Sequence, residues 1–210
     1  MNNSRKGRSK PFLLIIEGAQ GSGKTTICNA LKNKLTCTNF FSLSGLPKDS
    51  SAELVFNTRY NELTVPSLIK CSGLNIVYER SFFSDRVYQY MGLKPYTPNE
   101  FDEYYKKLVE QLVKLQEDYR VIIVNLCAHK NQFADRLQRN KEQYENASFS
   151  VESSIHQDNF YRILFLELHT MSNGIKFLYC VDNNDANETV EKILDIIKLS
   201  ESFCDNEKEK

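Results

Sequence analysis

The sequence predicts a three-layer α/β domain, a parallel β-sheet with helices on both faces. Three observations predict it. Short apolar runs alternate with longer amphipathic ones along the chain, the pattern of strands joined by crossover helices. The apolar runs are nearly continuous Ile, Val, Leu and Phe, as strands covered on both faces require. The first run also ends in a glycine-rich loop that leads straight into helical spacing, an arrangement suited to holding an anion at a helix N-terminus.

The elements follow in order. Residues 1 to 10, MNNSRKGRSK, are polar and basic without apolar periodicity and are expected to form a disordered leader. PFLLIIE (11 to 17), NFFSL (39 to 43), LNIVYE (74 to 79), YRVIIVNL (119 to 126) and IKFLYCVD (175 to 182) are the five strands. Helical spacing covers 23 to 35, 50 to 70, 82 to 91, 98 to 118, 130 to 143, 150 to 171 and 187 to 199. A break before Pro66 is the alternative in the second of these, because proline removes a helical donor. Thr97, Pro98 and Glu100 make a capped start for the helix from 98. Residues 201 to 210 form a polar, acidic tail. One domain over 11 to 200, without internal repeats, suits a chain of 210 residues.

The totals exclude several classes. Twenty-seven basic residues balance 27 acidic ones, so no overall charge points to a nucleic-acid polymer or a membrane surface. No apolar run reaches the roughly 20 residues of a membrane span, and the N-terminus lacks a secretory apolar region. Six cysteines without a CxxC pair, most in apolar context, read as reduced core thiols, and the three histidines are dispersed. Zinc and disulfides are therefore disfavoured, and a reducing, cytoplasmic compartment is expected.

Gly18-Ala19-Gln20-Gly21-Ser22-Gly23-Lys24-Thr25 satisfies GxxxxGK(S/T) between a strand and a helix. The glycines let successive amides turn inward around phosphate oxygens, Lys24 reaches the outer phosphates, and the Thr25 hydroxyl ligates magnesium, with Thr26 next in the cradle. Mg-nucleotide binding follows; the phosphate acceptor does not. A second segment, LNIVYERSFFSDRVYQYMGL, ends a buried strand in Glu79 and Arg80. In open α/β sheets ligands bind beyond the carboxyl ends of the strands. Glu79 is thus expected to hold magnesium through water and Arg80 to neutralise phosphate on the acceptor side. Ser84, Arg86, Tyr88 and Gln89 then recur at helical spacing and can present one polar face to a ligand.

With these motifs the chain resembles the thymidylate kinase and deoxynucleoside kinase group of P-loop phosphotransferases. Arg80, Ser84, Tyr88 and Gln89 stand in register with the thymidylate kinase pattern DRYxxSxxAYQ, while Glu79 to Arg86 match the deoxynucleoside kinase pattern ERSxFSxR. The resemblance spans residues 11 to 199 and implies the sheet order 2-3-1-4-5, a mobile lid over about 136 to 150, and a homodimer. It makes Arg136 and Arg139 of QFADRLQRNKEQ the lid arginines that stabilise the transferring phosphoryl group, though at a spacing of three rather than the usual four. It also places the adenine against Asp182, Asn183, Asn184 and Asp185.

The acceptor is a choice between a neutral hydroxyl, which needs a general base, and a phosphate, which needs cations. Deoxynucleoside kinases place a glutamate after the second strand; here FFSLSGLPKDSSAE has no Glu-Pro step, and Lys48 is the first charge. This favours a deoxynucleoside monophosphate, thymidylate-like, over a deoxynucleoside; Asp49 or Glu53 is the base in the alternative. Gln20 stands where the family commonly has an acid near the acceptor sugar, which leaves the substrate open. Phe40, Phe41 and Arg59 are candidates to bracket a base. A guanine-reading switch protein is disfavoured, since NKEQ lacks the aspartate of NKxD.

Overall fold

Seven consecutive buried residues, Phe12–Gly18, form the central strand β1. The computed structural model describes residues 10–43, 45–143, 150–170 and 174–206. β1 pairs in parallel with β3 (Asn75–Glu79) on one side and β4 (Arg120–Cys127) on the other; β2 (Thr38–Ser42) lies outside β3 and β5 (Phe177–Asp182) outside β4. The order is β2-β3-β1-β4-β5, as expected.

Strand period assigns the two cores. Leu13 and Ile15 face one cluster, shared with α2 (Ala52–Ile69), α3 (Phe82–Tyr90), α4 (Pro98–Leu115) and α6 (Val151–Thr170). Phe12, Leu14 and Ile16 face the other, covered by α1 (Lys24–Lys32) and α7 (Ala186–Asn206). Alternation continued by one residue puts Glu17 on the α3 and α6 side. Between β4 and α6, α5 (Lys130–Gln143) lays the buried Phe133 against Ala19 of the cradle and Ala128.

Local chemistry sets the helix ends. The Thr97 hydroxyl accepts from the Glu100 amide and the Glu100 carboxylate accepts from the Thr97 amide, a reciprocal box at the start of α4. Pro66 does not break α2, which runs unbroken through it. A proline inside a helix costs about 3 kcal/mol, partly by orphaning the carbonyl four residues back. Here that carbonyl belongs to Glu62, and the Tyr78 hydroxyl from β3 donates to it at 2.7 Å. The Pro66 carbonyl in turn accepts the Tyr119 hydroxyl at 3.0 Å. Tyr78 thus returns the donor that proline withholds, and the buried face of α2 carries the rest.

At the other end, α7 continues to Asn206, past the expected stop at 199 and into the expected tail. Two anchors sit there: the Ser200 hydroxyl, which accepts from Arg120, and the Phe203 ring, 6.3 Å from that of Phe177. All six cysteines are free, but only Cys28 and Cys127 are buried; most are not the core thiols their apolar neighbours suggested. Of the expected lid, residues 144–149 lie outside the described residues, as do 1–9 of the leader and 207–210 of the tail. No helix among the described residues is long and apolar enough to cross a membrane.

Candidate active site

The cradle joins β1 to α1, and two of its glycines are compulsory. Gly18 has φ 143°, and a Cβ there would lie 2.6 Å from the Leu126 carbonyl; Gly23 has φ 93°, and a Cβ would lie 2.5 Å from Asn183 Nδ2. Lys24 is nearly fully buried, and its ammonium donates to the Gly18 and Ala19 carbonyls at 2.6 and 2.7 Å. Burial and the Arg80 charge lower its pKa to about 7 against the pull of Glu17 and Glu79. An anion beside it would restore its full charge.

Across from the cradle, Glu79 ends β3. Its Oε1 accepts the Thr25 hydroxyl at 2.5 Å and its Oε2 the Ser42 hydroxyl at 3.1 Å. Carboxylate and hydroxyl oxygens held together in this way are a donor set that suits magnesium.

Arg80 follows at φ 74°, a left-handed conformation that costs a non-glycine residue about 1 to 3 kcal/mol. Its amide donates to the Ile16 carbonyl at 2.9 Å. The next side chain, Ser81, caps α3 and donates to Glu17 at 2.7 Å. A hydrogen bond contributes about 0.5 to 1.5 kcal/mol, and this one and the Arg80 amide bond together offset the cost of the turn. Arg80 thereby reaches the cleft that the cradle lines.

Glu17 is the centre of a buried knot. With no exposed surface, it also accepts Ser84 Oγ at 2.8 Å and the Tyr161 hydroxyl of α6 at 3.1 Å. Burial raises its pKa; the hydroxyls of Ser81 and Ser84 and the charges of Lys24 and Arg80 oppose the rise. One helical turn earlier on α6, Gln157 Oε1 accepts the Gln20 amide at 2.6 Å.

The cleft, about 690 Å³, opens between the cradle, Arg80, α5 and the turn after β5, a volume within the usual range for ligand sites. Four cations line it, Lys24, Arg80, Arg136 and Arg139, a local anion site in a chain of zero net charge. Arg136 donates to the Gly21, Ser22 and Asn183 carbonyls at 3.1, 3.0 and 2.6 Å. It therefore braces the outside of the cradle against the β5–α7 turn. Arg139 is exposed, and its Nε approaches only the Asp135 carbonyl of its own helix among the described residues. Asn183 is buried, with its side chain bonded to the Ser22 carbonyl and Thr189, while Asn184 and Asp185 line the cleft. Asp182 is exposed at the end of β5 and is not among the lining residues.

The acceptor-side expectations fare differently. Ser84 is buried and its hydroxyl is committed to Glu17, so it turns inward rather than toward a ligand. Arg59 is also buried, with Nε 2.6 Å from Asp85 and Nη1 2.8 Å from Glu62; Lys94 completes the group at 3.4 Å from Asp85. Its charge is matched within the protein, and it does not line the cleft. Lys48 is exposed and does not line the cleft either. Phe41 packs edge-on to Tyr78 at 5.4 Å, and Phe40 lies under Lys32 at 5.6 Å, both as core contacts. Arg86 pairs with Asp102 at 2.7 Å, bonds Gln89 at 3.2 Å and stacks over Tyr90 and Tyr105.

No family model matches the chain, and no curated protein is significantly similar to it. Solved structures are similar in fold. The deoxyadenosine kinase of M. mycoides, solved with bound dCTP, is 17% identical over 89% of this chain and 99% of its own, with a TM-score of 0.53. The YorR protein of Bacillus subtilis, in complex with phosphorylated GDP, is 18% identical over 89% and 96%, with a TM-score of 0.55. Polyphosphate kinase 2 of Arthrobacter aurescens is 15% identical over 92% and 68%, with a TM-score of 0.62. The chain has the P-loop kinase fold.

Within that fold, three polar residues that hold or neutralise the residues around the site escaped the sequence reading: Glu17, Ser42 and Asp85. Glu17 left one trace, a carboxylate closing a run of five apolar residues just before the P-loop. Asp85 left another, a charge between Ser84 and Arg86 in a segment otherwise assigned to ligand contacts. Ser42 left none.

Proposed function

We propose that the protein transfers the γ-phosphoryl group of ATP to a deoxynucleoside-type acceptor. One observation carries the reading: Arg80 is held in a strained conformation so that its guanidinium faces the same cleft as the P-loop. Nucleotide binding alone is served by the P-loop; a cation held opposite it at a conformational cost serves transfer, where positioned charge supplies most of the catalysis.

In this mechanism the cradle amides and Lys24 hold the β- and γ-phosphates, and Asn184 and Asp185 flank the nucleoside end of ATP. Thr25 and Glu79 would hold magnesium, which would neutralise phosphate charge there. Arg80 stabilises the charge that develops between donor and acceptor, and Arg139 adds a further cation from α5. Arg136 fixes the cradle rather than reaching over it. Closure of the lid segment would exclude water and suppress hydrolysis of ATP.

The P-loop and the β5–α7 turn occupy the β1 to β5 side, so the acceptor belongs on the β2 and β3 side, bordered by α2 and α3. There Arg86 Nε and the hydroxyls of Tyr96 and Tyr105 are buried without hydrogen-bond partners among the described residues. Buried polar atoms seldom stay unpaired, and a polar nucleobase edge is a fitting partner. Of the two cations expected to receive an acceptor phosphate, Arg80 lines the cleft, but Lys48, whose place after β2 was the reason to prefer a phosphate, stands in solvent. This favours a deoxynucleoside, with Asp49 or Glu53, the exposed carboxylates after β2, as the base that takes its proton. The second reading, a thymidylate-like monophosphate, is favoured by the absence of a Glu-Pro step after β2.

A panel of deoxynucleosides and their monophosphates, each incubated with Mg-ATP, separates the two. Turnover of at least one deoxynucleoside is expected. Activity confined to monophosphates replaces the first reading with the second, and activity on neither sinks the kinase assignment.

A further inference from the structure

We propose that Glu17 is a positioning residue: it sets the left-handed turn that aims Arg80 into the cleft and, through Tyr161, ties that aim to α6. The inference rests on the kinase reading of the cleft and adds to it a residue that touches no substrate.

Glu17 has no exposed surface and does not line the cleft. Its influence is through bonds. The turn at Arg80 is gripped from both sides by consecutive residues of β1. The Ile16 carbonyl takes the Arg80 amide, and the Glu17 carboxylate takes the hydroxyl of Ser81. Ser81 is also the cap of α3, its Oγ accepting the Phe83 amide at 3.4 Å, so the carboxylate holds the start of the helix together with the turn before it. A second bond, from Ser84, fixes the next residues of the first helical turn. The third, from Tyr161, comes from α6, the helix that follows the lid segment. The Ser84 and Tyr161 hydroxyl oxygens also lie 2.9 Å apart, side by side on the same carboxyl oxygen. Because Gln157 of the same helix holds the Gln20 amide, a shift of α6 would reach both the P-loop and Arg80. Carboxylate oxygens suit this place: they only accept, and each bond they receive here comes from a hydroxyl.

The test is a double-mutant cycle on kcat with the best acceptor of the panel. Glu17→Gln keeps the shape and puts an amide donor where a carboxyl oxygen accepted hydroxyls; it is expected to lower kcat by about 30-fold or more, approaching the loss of one preorganised donor, with KM for ATP changed by less than about threefold. In the Glu17→Gln background, Arg80→Ala is expected to cost less than about a further threefold, since residues that act as a unit are not additive. Factors that multiply would overturn the inference and leave Glu17 a structural residue. Tyr161→Phe removes one donor and no volume, and the same non-additivity is expected of it, so the cycle survives poor folding of the Glu17 variant. Should wild-type protein turn over no acceptor, the kinase reading fails separately, and the crystal structure of Glu17→Gln decides. Arg80 leaving the left-handed region supports the inference; an unchanged φ overturns it.

Discussion

Arg80→Ala lowers kcat by about two powers of ten or more, the scale of removing one preorganised charge from a transition state. The guanidinium lines the cleft with Lys24, and its backbone is held against its own preference. That makes a second variant informative. Alanine keeps the cost of φ 74°, whereas glycine relieves it. Arg80→Gly is therefore expected to lose as much activity while being no less stable than Arg80→Ala. Steady-state kinetics beside thermal melting measure both. A loss of kcat below about threefold would make Arg80 a structural residue, and equal stability losses without loss of rate would say the same.

The second large effect is on stability. Arg59→Ala strands Asp85, 2% exposed, and Glu62 beside it. Breaking a buried ion pair by removing one partner costs about 3 to 5 kcal/mol, because the remaining charge keeps its desolvation penalty. Lys94, 3.4 Å from Asp85, partly compensates, which places the expected loss near the lower end. Burial already raises the Glu62 pKa, with the Arg59 hydrogen bonds opposing the rise, so removing Arg59 leaves this carboxyl easier to protonate and the variant's deficit smaller in acid than at neutral pH. Urea unfolding of the variant, with Arg59→Met/Asp85→Leu/Lys94→Met as an apolar replacement that leaves neither Asp85 nor Lys94 unpaired, reads the difference. The triple variant is expected to recover most of the loss. A single-variant cost below about 1 kcal/mol would mean that water screens the pair.

Periodicity and the P-loop spacing were enough to foresee the strands, the covered faces of β1, β3 and β4 and the cradle, because both depend on neighbours close in sequence; the edge strands β2 and β5 are only half-buried. The orientation of a helical face is another matter. Spacing put Ser84, Arg86 and Gln89 on shared faces of α3, but only packing against β1 and α6 turns Ser84 toward Glu17. Arg59 resembled a candidate ligand contact because its carboxylate partner Asp85 is 26 residues away. The bonds of Glu17 span 64, 67 and 144 residues, which no local pattern encodes. The course of α2 through Pro66 escaped the reading for the same reason: the donor that repairs it comes from another strand.

That repair has a consequence for descent. Pro66 and Tyr78 are two halves of one arrangement: the proline withdraws a donor from the Glu62 carbonyl, and the tyrosine returns one. Each is harmless to lose only in company with the other, or in a fixed sequence. A lineage can exchange the proline first, since an ordinary amide then serves Glu62, and afterwards lose the phenol. The reverse route passes through an orphaned buried carbonyl. Homologues should therefore show tyrosine without proline far more often than proline without a hydroxyl at position 78, and an alignment in which the two vary independently would show that the helix tolerates its gap unaided.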